Sequence, residues 1–286
     1  MKRLFLLLAL LPSLVFGETW PLEASVIATR DSTGKTTVTN GYSDHLVVMS
    51  YRDALMIGAI PGATPFSSNG KEITTGAVTR LPVSTAGVVN IANGVQMSFV
   101  SSSANDAAAG TGLRTLVMSY IEQTTLAAKS EIITMNGLTP VLSVATNIRF
   151  INSLTMLTAG SGGTNAGAIT VTNGGLTYGK IDAGNNVQFS SYRMVPAGKV
   201  FIPHDIIASS NSGAAAAQAI FQIVNWSPSI PYWTPSNAVG CQDGPIVIQL
   251  ESGRSIPAGN VIGIEVTTDK AATITGSFIG HLENAP

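Results

Sequence analysis

The stretch Gly167–Ile181, GAITVTNGGLTYGKI, decides the fold. Two runs rich in β-branched and aromatic residues flank Asn173-Gly174-Gly175, and glycine supplies the positive φ that a tight hairpin turn needs. Strands joined by so short a turn must run antiparallel. Outward from this hairpin the same rhythm recurs from Val88 onward. GVQMSFVSS, RTLVMSYI, SEIITMNG, KVFIPHDIIAS, GPIVIQLES, NVIGIEVTTD and ATITGSFIGHLEN all read as short strands separated by turns. Many short β-branched segments with frequent turns predict an all-β protein, an antiparallel β-sandwich of jelly-roll-like form with a long irregular N-terminal region.

The expected divisions are a leader at 1–17, an N-terminal β and irregular region at 18–87, and the sandwich at 88–286. Within the second, turns fall at Thr33-Gly34-Lys35 and Asn40-Gly41. Tyr51–Gly87, rich in Gly and Pro and without a sustained period, reads as an irregular connection with a short helix near Tyr51–Ile57. Ala214–Ala217 is a candidate single helical turn. Two segments echo one another: VPAGKVFIPHDII (Val195–Ile207) and IPAGNVIGIEV (Ile256–Val266). Either they are equivalent corners of a sandwich or one common turn used twice.

The leader MKRLFLLLALLPSLVFG carries Lys2 and Arg3 ahead of the apolar run Leu4–Leu11, the layout of a secretory signal peptide with cleavage after Gly17. A retained apolar arm is the alternative reading, and the run is too short to span a bilayer comfortably. Charged residues are only 11% of the chain, against roughly 25% in an ordinary soluble protein. Net charge is −1 with Lys and Arg dispersed, so there is no electrostatic footprint for nucleic acid or an anionic membrane. A surface of Gly, Ser, Thr and Asn suits a β-protein that buries its exterior against partners. The single cysteine, Cys241, excludes an intrachain disulfide and reads as a small buried residue.

Catalytic patterns are missing from the sequence. Ser101–Leu116, SSSANDAAAGTGLRTL, has a Gly-Thr-Gly core but no Lys and is followed by a strand, so it fails as a phosphate loop. It reads instead as a strand-to-strand loop shaped by the side chains of Asn105 and Asp106, with Arg114 a candidate partner for Asp106. His45, His204 and His281 lack metal-ligand spacing, Glu122 and Glu131 bracket a turn and are expected to stay solvated, and AGSGGTNAG (Ala159–Gly167) is a flexible hairpin loop rather than a nucleophile turn. No catalysis, metal or cofactor is expected. Asn225–Pro235, NWSPSIPYWTP, concentrates Trp226, Tyr232 and Trp233 on a Pro-stiffened loop. These three are the candidates for contact with a glycan or partner, or else they seal the end of the sandwich or a subunit interface.

Ile57–Gly76 together with Ser101–Val141 resembles a family of largely uncharacterised virion structural proteins common in marine tailed phages. The likeness rests on Pro61-Gly62, on Ser102-Ser103 with Asn105-Asp106, on Gly110-Thr111-Gly112 with Arg114-Thr115, and on Glu131, Asn136-Gly137 and Pro140. It continues faintly through RFINSLTMLTAGSGGTNAGAITV and YRMVPAGKVFI. The resemblance implies a non-enzymatic virion component (capsid decoration, minor capsid, fibre or tail-associated), commonly a homo-oligomer, with a trimer expected. Its partners would be further copies and other virion proteins, with a host-surface glycan as a further candidate and no nucleic acid. The leader departs from that pattern and keeps open a secreted or cell-surface adhesin or carbohydrate-binding module.

Overall fold

A computed structural model describes Ile60 and residues 62–213, 216–250 and 255–285, together with the backbone of Thr29–Arg30 and Thr36–Thr37. The leader, the turns at 33–35 and 40–41, the helix expected near Tyr51–Ile57 and residues 214–215 of the expected Ala214–Ala217 turn lie outside the described residues. The chain divides into two units, Met1–Ile60 and Pro61–Pro286. In the first, β1 (Thr29–Arg30) pairs antiparallel with β2 (Thr36–Thr37).

The second unit is built from strands alone among the described residues. In chain order they are β3 (Thr64–Ser67), β4 (Gly70–Thr74), β5 (Val78–Pro82), β6 (Ser98–Ser101), β7 (Leu113–Glu122), β8 (Ala128–Thr134), β9 (Val141–Leu142), β10 (Ile148–Ala159), β11 (Ile169–Asn173) and β12 (Leu176–Ile181). They continue as β13 (Arg193–Met194), β14 (Lys199–Asn211), β15 (Gln218–Ser227), β16 (Ile230–Gln242), β17 (Gly244–Gln249), β18 (Ile256–Pro257), β19 (Val261–Thr268) and β20 (Ala272–Asn284).

Four antiparallel sheets result. One has the order β17-β14-β20-β3, with β4 also on β20 and β18 on β14; a second runs β13-β19-β15-β16, with β5 on β19. Between them lies a core of Phe201, Ile206, Phe221, Ile264, Ile274 and Phe278 among others. The chain crosses between these two sheets from β14 to β15, from β16 to β17 and from β19 to β20, the jelly-roll habit. The other two sheets, β10-β7-β8 and β12-β11-β6-β9, enclose a separate core that includes Phe99, Leu116, Met118, Leu154 and Val171. Because β6–β12 lie in sequence between β5 and β13, the second sandwich is an insertion in the first. The two are joined by a third cluster, Ile121, Phe150, Tyr192, Met194, Val224 and Val261. The Asn152 amide of β10 fixes that seam: its Nδ2 donates to Met194 O at 3.1 Å and its Oδ1 accepts from Met194 N at 2.8 Å.

The opening hairpin forms as read. β11 and β12 close from Asn173↔Leu176, with Gly174 at φ 56° and Gly175 at φ 81°, both in the region that a two-residue turn of this hand requires. The two Pro-Ala-Gly segments are equivalent corners. In each, the residue after Gly donates back to the Pro carbonyl at 3.3 Å, Lys199 N to Pro196 O and Asn260 N to Pro257 O. They also lie side by side, Val195 N donating to Asn260 O and accepting through its own carbonyl from Gly259 N.

Two readings are corrected. Tyr51–Gly87 carries three strands from Thr64 onward, paired to β19 and β20. Their Pro65 and Pro82 and their largely exposed side chains hide a strand period, as is usual at sheet edges. Asn225–Pro235 is likewise a hairpin between β15 and β16, where a loop was expected. β16 is an edge strand, so Pro231 and Pro235 cost it no ladder partner on the open side.

Candidate functional site

The Ser101–Leu116 loop is organised around one buried carboxylate. Asp106, fully buried, accepts four hydrogen bonds: from Ser101 Oγ at 2.6 Å, Leu113 N at 2.7 Å, and Ala166 N and Gly167 N at 2.8 Å each. An anion can be dehydrated only where donors replace its water, and here backbone amides from two loops do so. The Asp106 carbonyl also accepts from Gly137 N, which brings in the Asn136-Gly137 turn. The glycines let these backbones meet: a Cβ on Gly112 would stand 2.2 Å from Asp106 Oδ1, and one on Gly110 would stand 2.0 Å from Asn105 O.

Asp106 thus shapes the turn with its side chain, as read, while Asn105 contributes its carbonyl to Gly112 N at 2.9 Å. The guanidinium of Arg114 reaches Gly110 O at 2.9 Å, and the carboxylate expected for it is held by the amides instead. The Ala159–Gly167 loop is packed into this assembly rather than free: Asn165, 1% exposed, donates to Gly167 O and Asp182 O. Motif residues are therefore occupied in holding the fold.

Glu122 also departs from the solvated role expected of it. It is 4% exposed and binds Lys129 Nζ at 2.5 Å, Asn147 Nδ2 at 3.1 Å and the Thr125 hydroxyl. These donors, Lys129 first, hold its carboxyl down at about 2. β7 returns to β8 through residues 123–127, which brings Lys129, the second residue of β8, within reach of Glu122, the last of β7. Half-buried Glu131 accepts from Val144 N at 2.6 Å and Ala145 N at 3.0 Å, clasping a neighbouring loop.

The aromatic residues divide. Trp226 on β15 and Trp233 on β16 line one cleft of about 360 Å³ with Val89–Asn93, Arg149 and Pro231. Tyr232, 66% exposed, takes the other side of β16, since neighbours on a strand face opposite ways. Trp233 stands edge-to-face with buried Tyr192, centroids 5.2 Å apart. Arg149 enters the cleft from β10, its guanidinium 5.5 Å over the Trp226 ring, with Nη1 donating to Gln123 Oε1 at 2.8 Å. Its Nε is buried without a hydrogen-bond partner, and among the described residues no carboxylate pairs with it. Burial pulls this guanidinium below its ordinary value. Arg149 escaped the sequence reading because only folding brings β10 to the β15–β16 hairpin.

His204 and His281, far apart in sequence, meet on neighbouring strands β14 and β20. His204 Nε2 lies 2.7 Å from His281 Nδ1, and His281 Nε2 lies 2.7 Å from Glu283 Oε1. That chain requires one of the two facing ring nitrogens to lack a proton. His45 lies outside the described residues. Among the described residues no group of three or more His, Cys, Asp or Glu is placed to hold a metal ion. Cys241 lies half-buried on β16 against the first core, and burial raises its thiol.

No family model matches the chain, and no curated protein does. Among solved structures it is similar to that of the infectious bursal disease virus Gt strain at 10% identity, covering 81% of this chain and 76% of that one, with a TM-score of 0.18. The infectious bursal disease virus VP2 subviral particle gives 9% identity, 82% of each chain and a TM-score of 0.19. Similarity at that level transfers neither fold nor role.

Proposed function

We propose that the chain is a non-enzymatic structural protein of a virus particle, held there by contacts with further copies of itself and with other particle proteins. The observation that carries this reading is the outer face of the β10-β7-β8 sheet. Its cross-strand rows are Thr158–Thr115–Thr134, Thr155–Val117–Ile132 and Ser153–Ser119–Ser130, without a charged side chain in the grid. Ile132 is 60% exposed at its edge, and the Thr115 and Thr158 hydroxyls bond each other at 2.6 Å. A soluble monomer ordinarily keeps such a face charged. This one can be taken from water without stripping any ion of its hydration, which favours burial against another copy.

The use of the Ser101–Val141 motif residues as internal struts supports the same reading, because a scaffold needs fixed loops more than reactive groups. Capsid decoration, minor capsid, fibre and tail positions all suit such a protein, and a closed homotrimer is the form proposed. Sedimentation velocity of the purified chain tests this. The expected result is an oligomer at micromolar concentration that Ile132→Asp dissociates; a wild-type chain that stays monomeric throughout would contradict it.

A further inference from the structure

We propose that the cleft between Val89–Asn93 and the β15–β16 hairpin binds a carboxylate-bearing saccharide, with Arg149 taking the carboxylate and the two indoles taking the sugar ring. This site goes beyond assembly and does not depend on it. The cleft, about 360 Å³, is at the small end of ligand pockets, about 300–1,000 Å³. One wall is the β15–β16 hairpin, and the facing segment 89–93 is irregular but tied to β10 through Ala92 N, which donates to Arg149 O at 2.8 Å, so the groups of the cleft are held in place.

The charge on Arg149 selects the class of occupant. Its guanidinium is held by stacking over Trp226 and by the Gln123 amide oxygen, which fixes the planar fork before any ligand arrives. It is half-buried, its Nε has no partner, and no protein carboxylate balances it among the described residues. A partly dehydrated cation without a counter-ion gains most from an anion that brings two oxygens, and a carboxylate fits that fork.

The rest of the lining selects a sugar over a simple anion. Trp226, Trp233 and Pro231 offer ring surfaces to the C–H face of a pyranose. Asn93 is exposed at the rim, where its amide can both donate to and accept from hydroxyls. An extended peptide is disfavoured, because the Ala92 N–H that would pair with it already donates to Arg149 O at 2.8 Å.

Two of the three tryptophans line the cleft, so indole emission reports occupancy directly. The purified chain is titrated with N-acetylneuraminic acid and glucuronic acid, and in parallel with glucose, N-acetylglucosamine, sodium acetate and an oligoglutamate peptide. An acidic sugar is expected to give a saturable change that neutral sugars and acetate do not. Arg149→Gln and Trp233→Ala should each weaken it at least about tenfold, and Arg149→Lys should weaken it too, because the point charge cannot make two parallel bonds. If the Arg149 variants do not fold, Asn93→Asp at the exposed rim serves, since its carboxylate should repel the ligand's. The proposal is overturned by equal binding of acidic and neutral sugars or by binding of the oligoglutamate alone. Undiminished binding in the folded variants, or no response to either acidic sugar up to about 10 mM, the millimolar floor of useful affinity, overturns it as well.

Discussion

Asp106 Oδ1 accepts the Leu113 N–H at 2.7 Å, so the residue that turns the loop also anchors the start of β7, the central strand of its sheet. Three other donors converge on the same carboxylate. Replacing Asp106 by Asn puts an NH₂ where an oxygen faces two donors. That leaves buried donors unmatched at a cost of about 3 kcal/mol, with Ala at least as damaging. Urea unfolding of the Asp106→Asn chain should therefore show a clear loss of stability. An unchanged midpoint would mean that the carboxylate is incidental.

The glycine at 112 is a matter of space. Gly112→Ala drives a methyl to within 2.2 Å of Asp106 Oδ1 and should destabilise by about 1–3 kcal/mol through the forced shift. Gly76 is the matched control, with nothing within 4 Å of its added Cβ and no positive φ. Gly76→Ala should be neutral or stabilising by up to about 1 kcal/mol, through the narrowed unfolded chain. Melting temperatures of the two variants side by side decide the matter.

Glu122 and Lys129 make stability depend on pH in a defined sense. The Glu122 carboxyl is lowered from 4.5 to about 2 by the Lys129 ammonium, the Thr125 hydroxyl and the Asn147 amide. A carboxyl lowered by folding stabilises the native state above its unfolded value and loses that contribution as pH falls through its folded one. Lys129 is raised from 10.5 by the same contact, so the contribution is lost again at pH above that value. Comparing wild type with Glu122→Gln in denaturant, the gap should be full at pH 6 and close between about pH 4.5 and 2. A gap that persists at the acid end would point to a packing defect instead.

The seam between the two sandwiches rests on a double hydrogen bond. Asn152→Asp keeps the acceptor for Met194 N but sets a carboxylate oxygen against Met194 O, which should cost about 2–3 kcal/mol. Hydrogen exchange should then rise first at β13 and the facing end of β10. Exchange that rises only in the β11–β12 hairpin would contradict that role for Asn152.

Local chemistry was legible in the sequence. The Asn173-Gly174-Gly175 turn and the two Pro-Ala-Gly corners form as their residue types dictate, because each is decided within four residues. Edge strands were not: β3–β5 and β16 carry prolines and exposed side chains, so neither an alternating pattern nor an unbroken apolar run marks them. Nesting was also invisible, since nothing in β6–β12 distinguishes an inserted sandwich from a continued one. The indoles of the cleft could be picked out as a cluster of rare residues. Arg149, Gln123 and Asn93 could not, because their partners lie on strands that meet only in three dimensions. Asp106 could be named as a turn former, but the donors from Ala166 and Gly167 come from a loop some sixty positions on.

The virion role is tested most directly by mass spectrometry of virus particles purified from the natural source, with quantification against the major shell protein and sequencing of the chain's N-terminal peptide. The result expected is the chain present at a fixed stoichiometry in intact particles and retained through gradient purification. Its absence from particles, with the protein recovered as a soluble monomer from the surrounding medium, would contradict the structural role.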